Sequence, residues 1–211
     1  MDKINIYRVN ITGVDQVLSF SAPDAPMAPI WASVWPSGVA LASVIWRDRE
    51  RFAGKKVLEI GPGLGITATL LGLAGAEVTL VDISQSCLNV AAYNMRQNGA
   101  GYPAHAIVSD IRHPTPDLPG HLERGAYDMI VGADILYEDD VVEPLLRTIS
   151  AVDHAWIAAV IREPFAKFAF DTPGAGWTMR TEKIRVPIPD PIEGTVDPVI
   201  VLYLDKAGRV W

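Results

Sequence analysis

Apolar residues in this chain follow two alternating patterns. Residues 57–60, 78–81 and 127–133 are compact runs, nearly continuous in apolar character, as strands buried on both faces are. Between them, apolar positions return at helical spacing: Leu41, Val44 and Ile45; Ile66, Leu70, Leu71 and Leu73; Leu88, Ala91, Ala92 and Met95. Local signals set the ends. Pro36 suits the first turn of a helix running to about residue 51, and Gly75 closes the next. Ser84 and Gly99 bracket a third helix as N-cap and C′ residue. Further strands are expected at 104–109, 154–161, 177–186 and 198–204, with helices at about 140–152 and 163–170. The helix at 140 must begin there, because Pro144 is tolerated only in a first turn. Ahead of all this, residues 3–20 alternate weakly around Thr12-Gly13 and predict a small hairpin; 21–30, rich in proline, predict an extended connector.

Strands and helices in alternation, closed by two strands with no helix between, predict a doubly wound α/β fold. Its seven-stranded, mostly parallel Rossmann-like sheet carries an antiparallel edge pair, with the hairpin and first helix added in front. One stretch gives this scaffold chemistry. The strand at 57–60 runs into Gly61, Gly63 and Gly65, a helix follows, and the next strand ends on Asp82. Such a unit binds an adenosine-containing ligand, the acid taking the ribose hydroxyls. The dinucleotide fingerprint is GxGxxG; here the third glycine comes one residue early and Ile66 stands in its place. Glu59 precedes the first glycine by two positions. This combination resembles motif I of the class I S-adenosylmethionine-dependent methyltransferases. The resemblance implies that the amides after the glycines receive a methionine carboxylate where a dinucleotide enzyme holds pyrophosphate.

Composition narrows the field. With 211 residues, 49 % of them apolar, the chain suits one domain, with 1–54 as an N-terminal extension and 55–211 as the cofactor-binding core. A net charge of −7 disfavours a nucleic-acid partner. The single cysteine, Cys87, leaves no internal disulfide and no cysteine-rich metal site; no metal is expected. The first residues lack the apolar core of a signal peptide and no run reaches membrane-spanning length, so a cytoplasmic protein is expected.

The strand at 127–133 runs into Asp134-Ile135-Leu136-Tyr137, at the sheet end where open α/β folds bind ligands. Nucleobase amino-methyltransferases place two prolines between the acid and the aromatic residue; Ile135 and Leu136 stand there instead. GADILYEDD resembles the Asp-x-x-Tyr motif of the small seven-strand protein-lysine methyltransferases, which include the electron-transfer-flavoprotein lysine methyltransferases. WASVWPSGVALASVIW resembles the Trp-Pro helix of that family. The resemblance covers about residues 31–160. It implies that Trp35, Glu59, Gly61, Gly63, Gly65, Asp82, Ile83 and Ala133 serve the cofactor, S-adenosylmethionine. It places Asp110 near the adenine amino group and Ile111 where many members stack a tryptophan. Asp134 and Tyr137 become the catalytic pair, the acid orienting an amine and the ring walling the cationic centre. The implied acceptor is a protein lysine. A small-molecule N- or O-methyltransferase is the alternative, and a non-catalytic binding module or a nucleic-acid methyltransferase lies further off. Residues 112–126, long and without apolar periodicity, are expected to cover the site. His113 and His121 read as solvated; Arg162 and Glu163 face the same end of the sheet, where a surface ion pair is favoured over contact with substrate. Oligomeric state stays open.

Overall fold

The computed structural model describes residues 4–24, 28–115, 118, 122–186, 198–206 and 208–209. Nine strands are present among them: β1 (Ile4–Val9), β2 (Leu18–Pro23), β3 (Lys56–Ile60), β4 (Glu77–Asp82), β5 (His105–Val108), β6 (Met129–Ala133), β7 (His154–Ala159), β8 (Trp177–Ile184) and β9 (Val199–Lys206). The α-helices are α1 (Pro36–Arg47), α2 (Ile66–Leu73), α3 (Gln85–Gln97), α4 (Val142–Ile149) and α5 (Glu163–Asp171). Strands β3 to β9 form one sheet in the order β5-β4-β3-β6-β7-β9-β8. Its first five strands in that order run parallel; β9 is antiparallel to both β7 and β8. Strands β1 and β2 make a separate antiparallel hairpin.

Apolar contacts fill both faces of the sheet. One core joins α1, α2, α3 and the hairpin through Phe20, Leu41, Ile45, Leu70, Leu71 and Leu88. The other joins α4 and α5 through Leu145, Ile149, Phe165 and Phe168. Central strands covered on both sides need apolar residues at nearly every position, which is why their sequences do not alternate. Two switch directions: from β3 the chain crosses to β4 and β5 on one side, and β6 starts the other side. The carboxyl ends of β3 and β6 therefore border a crevice.

Most element boundaries shift by a few residues, each for a local reason. The hairpin extends to Pro23, taking three residues from the expected connector. Helix α1 stops at Arg47; a tight 3-10 turn at Arg49–Arg51 then sets Phe52 into the core, edge-on to Trp156 at 5.2 Å. Strand β6 begins at Met129, just after Asp128, whose carboxylate takes the Lys56 amide at 2.9 Å and whose own amide donates to the Lys56 carbonyl at 2.8 Å. A 3-10 turn at Asp139–Val141 precedes α4, leaving Pro144 in its first turn. Strand β7 ends at Ala159, level with Ile200 on β9.

Of the segment 112–126, expected to cover the site, residues 116–117 and 119–121 lie outside the described residues. Leu118 is fully buried in the second core, and Leu122 packs against the same cluster. His121 and most of the expected connector between the last two strands lie outside the described residues. Among the described residues no helix is long and apolar enough to cross a membrane.

Candidate active site

A cleft opens at the carboxyl ends of β3, β4, β5 and β6. Ten of the twelve residues singled out in the sequence line it: Trp35, Gly61, Gly63, Asp82, Ile83, Asp110, Ile111, Ala133, Asp134 and Tyr137. Glu59 and Gly65 do not. Glu59 is buried behind the glycine loop, where burial pushes its carboxyl far up; the Ala68 amide and Thr67 hydroxyl from the first turn of α2 pull the other way. Its Oε2 is buried without a hydrogen-bond partner. Gly65 begins α2 with its back to α3, and a Cβ there would stand 2.9 Å from the Ala91 Cα. The missing side chain serves helix packing.

The three loop glycines all have positive φ, at 64°, 54° and 78°, a region L side chains avoid. Gly61 and Gly63 differ in what surrounds them. A Cβ on Gly61 would meet the Ile135 Cγ2 at 2.8 Å; on Gly63 it would meet only the Trp31 carbonyl, at 3.5 Å. Gly61 is held by packing, while Gly63 presents open backbone to the cleft.

Asp82 ends β4. Its Oδ1 accepts the Ser84 amide at 2.8 Å and its Oδ2 accepts the Cys87 thiol at 3.3 Å. Burial raises its pKa, against those bonds and one from the Ile83 amide. Each carboxylate oxygen keeps a second lone pair, so the group can still accept from a ligand. Beside it, Ile60, Val81, Ile83 and Ile111 give the cleft an apolar slot.

After β6 the chain makes a tight turn. Asp134 has φ 57°, the one positive value outside glycine among the described residues, and its amide donates to Ala158 at 2.8 Å. Aspartate tolerates this left-handed state better than most residues. Ile135 and Leu136 turn inward, 7 % and 1 % exposed, and Ile135 packs on Gly61 and Gly132. Their burial points Asp134 and Tyr137 toward the cleft. The Asp134 Oδ2 is buried without a hydrogen-bond partner, and its Oδ1 lies 3.7 Å from the Arg162 guanidinium. Burial raises the Asp134 pKa; Arg162, and less so the nearby Ser37 hydroxyl, oppose the rise. The Ser37 oxygen is itself buried and makes no hydrogen bond of good geometry.

Several lining residues carried no usable sequence signal. Arg112 grips Asp110 with its Nε at 3.0 Å from both carboxylate oxygens, and its Nη1 reaches Glu138 and Asp140 at 3.2 Å each. This ties the loop after β5 to the loop after β6. Trp31 and Ile30 reach the cleft from a 3-10 turn before α1. The Trp35 Nε1 holds that turn, donating to the Ile30 carbonyl at 2.9 Å. Arg162, expected at this end of the sheet with a surface ion pair favoured over substrate contact, lines the cleft.

Sheet order, glycine loop, strand-end acid and the acid-x-x-tyrosine turn together define a class I methyltransferase scaffold. The chain belongs to the lysine methyltransferase family, whose model matches residues 24–162. It is 30 % identical over 138 residues to the histone-arginine methyltransferase METTL23 of Xenopus laevis, covering 64 % of this chain and 57 % of that one. It is 32 % identical over 120 residues to the protein N-lysine methyltransferase METTL21A of Danio rerio, covering 56 % of this chain and 53 % of that one. The chain thus spans little more than half the length of these relatives. The fold also matches a SAM-dependent methyltransferase from Agrobacterium tumefaciens, with a TM-score of 0.62 at 18 % identity over 95 % of this chain and 70 % of that one.

The lining suits S-adenosylmethionine. Asp82 would take the sugar hydroxyls, the isoleucine-rich slot would take the base, and the open Gly63 backbone would take the amino-acid end.

Proposed function

We propose that this protein transfers a methyl group from S-adenosylmethionine to the side-chain amine of a protein lysine. One observation carries the reading: the Asp134 carboxylate, nearly buried and with one oxygen unpartnered, lies in the same cleft as Gly63 and Asp82. An unpartnered buried acceptor costs about 1–3 kcal/mol, a cost that an incoming N–H donor removes.

The bound cofactor supplies a methyl group already made electrophilic by its sulfonium. The protein must align an amine lone pair and keep water out. A free lysine, with a pKa near 10.4, is almost wholly protonated at neutral pH. The half-buried cleft favours the neutral amine, and Asp134 accepts its N–H and fixes its direction. Tyr137, half exposed beside it, offers a ring face to the positive charge that passes from the sulfonium to the nitrogen as the methyl group moves. The apolar walls of Ile60, Ile111 and Val141 exclude water.

Lysine is favoured over arginine by the charge already present. A guanidinium is best held by paired carboxylate oxygens, and Asp134 already faces the guanidinium of Arg162. We place residues 1–54 and 55–211 in one functional domain. We assign it to the cytoplasm, a compartment suited to the free thiol of Cys87.

The test is incubation with cofactor labelled on its methyl group and an extract of the host, followed by separation into protein, nucleic acid and small molecules. Label in protein, recovered as methyllysine after hydrolysis, is expected. Label confined to metabolites or RNA would sink the reading.

A further inference from the structure

We propose that Asn94 is a positioning residue of the cofactor site, holding the glycine loop by its Leu64 carbonyl and tying that loop to the N-terminal hairpin. The inference rests on the cofactor assignment above and concerns a side chain outside the cleft.

Asn94 lies on α3 and is completely buried. Its Oδ1 accepts the Ser21 amide at 2.8 Å, and its Nδ2 donates to the Ser21 and Leu64 carbonyls, both at 2.9 Å. Both N–H groups of the carboxamide are used. The reversed amide would set its oxygen against two carbonyls and its nitrogen against an N–H, so the network allows one orientation.

Asn98, one turn further along, makes the same pair with Ser19: amide to Oδ1 and Nδ2 to carbonyl, each at 2.9 Å. Spacing explains the match. Four residues of helix advance about 6 Å and two of strand about 7 Å, so i,i+4 side chains can meet i,i+2 backbone. The two carboxamides stand in for a neighbouring strand along the outer edge of β2. Only Asn94 continues past the hairpin into the glycine loop.

That loop touches α3 a second time. Gly65 rests on Ala91, where an added Cβ would stand 2.9 to 3.1 Å from three Ala91 atoms. Within the loop the Gly65 amide donates to the Pro62 carbonyl at 2.8 Å. Residues 64 and 65 are thus clamped to α3 at two points, immediately beside Gly63 on the cleft wall. Without Asn94 the Leu64 carbonyl loses a partner in a buried setting, and the peptides leading to Gly63 gain room to rotate. The hairpin, residues 4–23, precedes the family match at 24, while the asparagine that receives it lies inside.

The experiment compares the full chain with N94A, N94D and N98A. Two readouts are used: S-adenosylhomocysteine affinity by calorimetry and amide exchange across residues 18–23 and 61–66. N94D keeps the volume and the acceptor for Ser21 but loses both donors. N98A loosens the hairpin one turn away without touching the loop. Expected are affinity lower by about tenfold and faster exchange at 61–66 in N94A and N94D, against faster exchange at 18–23 alone and unchanged affinity in N98A. Wild-type affinity and wild-type loop protection in N94D would overturn the proposal. So would equal loss in N98A, which would assign the effect to hairpin docking in general, or failure of both Asn94 variants to fold, which would make the residue a global one. Should the unaltered chain not bind the nucleoside at all, the cofactor assignment fails. Loop exchange then decides the Leu64 tie by itself: faster exchange at 61–66 in N94D supports it, and unchanged exchange overturns it.

Discussion

The carboxylate of Asp134 and the guanidinium of Arg162 face each other across 3.7 Å, close enough to attract and too far for a hydrogen bond. The acid comes from the turn after β6 and the base from the turn after β7, so neighbouring parallel strands place opposite charges at one end of the sheet.

This pair sets a pH dependence. Burial raises the Asp134 pKa and Arg162 restrains it. In R162M the restraint is lost, and the acidic limb of the methylation rate profile should move to higher pH, with R162K nearer to wild type. An unmoved limb would separate the rate from the charge on Asp134.

The same carboxylate lowers stability at neutral pH. A folded-state pKa above the unfolded one means that the folded chain binds the proton more tightly. The stability this adds is full below the ordinary aspartate value and is lost as pH rises through the raised one. D134N removes the ionisation, and asparagine tolerates the left-handed backbone. A rise in melting temperature of about 2–4 °C at neutral pH is expected, for roughly 1 kcal/mol, together with loss of methyl transfer by about 100-fold or more. A variant both active and no more stable would contradict the assignment.

Gly61 and Gly63 should fail differently. G61A suffers both the left-handed backbone and the Ile135 contact at 2.8 Å, roughly 2–5 kcal/mol together. Urea unfolding should show the G61A/I135A double variant less destabilised than the sum of the singles. G63A meets no such side chain and should lose less stability while still binding nucleoside poorly.

In the proposed binding mode Asp82 holds the nucleoside end. D82A should weaken S-adenosylhomocysteine binding by about 100-fold, as loss of hydrogen bonds to a charged group predicts. C87A, which removes a weak donor shared between that carboxylate and the Gly63 carbonyl, should change it by about a few-fold. Unchanged affinity in D82A would mean that the ligand lies elsewhere.

Arg112 gathers Asp110, Glu138 and Asp140. R112A leaves three acids close together, and exchange at residues 138–141 should quicken at low salt and recover as salt screens the repulsion. The Arg112 side chain is the main cause of the depressed Asp110 pKa. That contribution is full above the ordinary aspartate value and fades as pH falls through the lowered one, so R112A should also unfold at a higher pH on acidification.

The sheet, the crossover and the acid at the end of β4 were legible because each follows from local rules. Buried parallel strands show as apolar runs, glycines mark left-handed turns, and Ser84 caps α3 by accepting the Cys87 amide, as its position implies. Gly65 and Glu59 stand behind the cleft wall; a motif records that a residue is needed, without saying whether ligand or helix needs it. Arg112 and Trp31 could not be read at all. Their roles depend on which loops meet, and that is decided by strand order and not by neighbours in the chain. Within the segment at 112–126 the burial of Leu118 could not be read either, because a single leucine makes no periodic pattern.

Ile135 fills the space left by two glycines on adjacent strands, Gly61 at the end of β3 and Gly132 near the end of β6. One side chain therefore rivets the donor half of the cleft to the acceptor half. Neither half can drift in shape over generations unless the other follows, and a bulkier neighbour at any of the three positions strikes both halves at once.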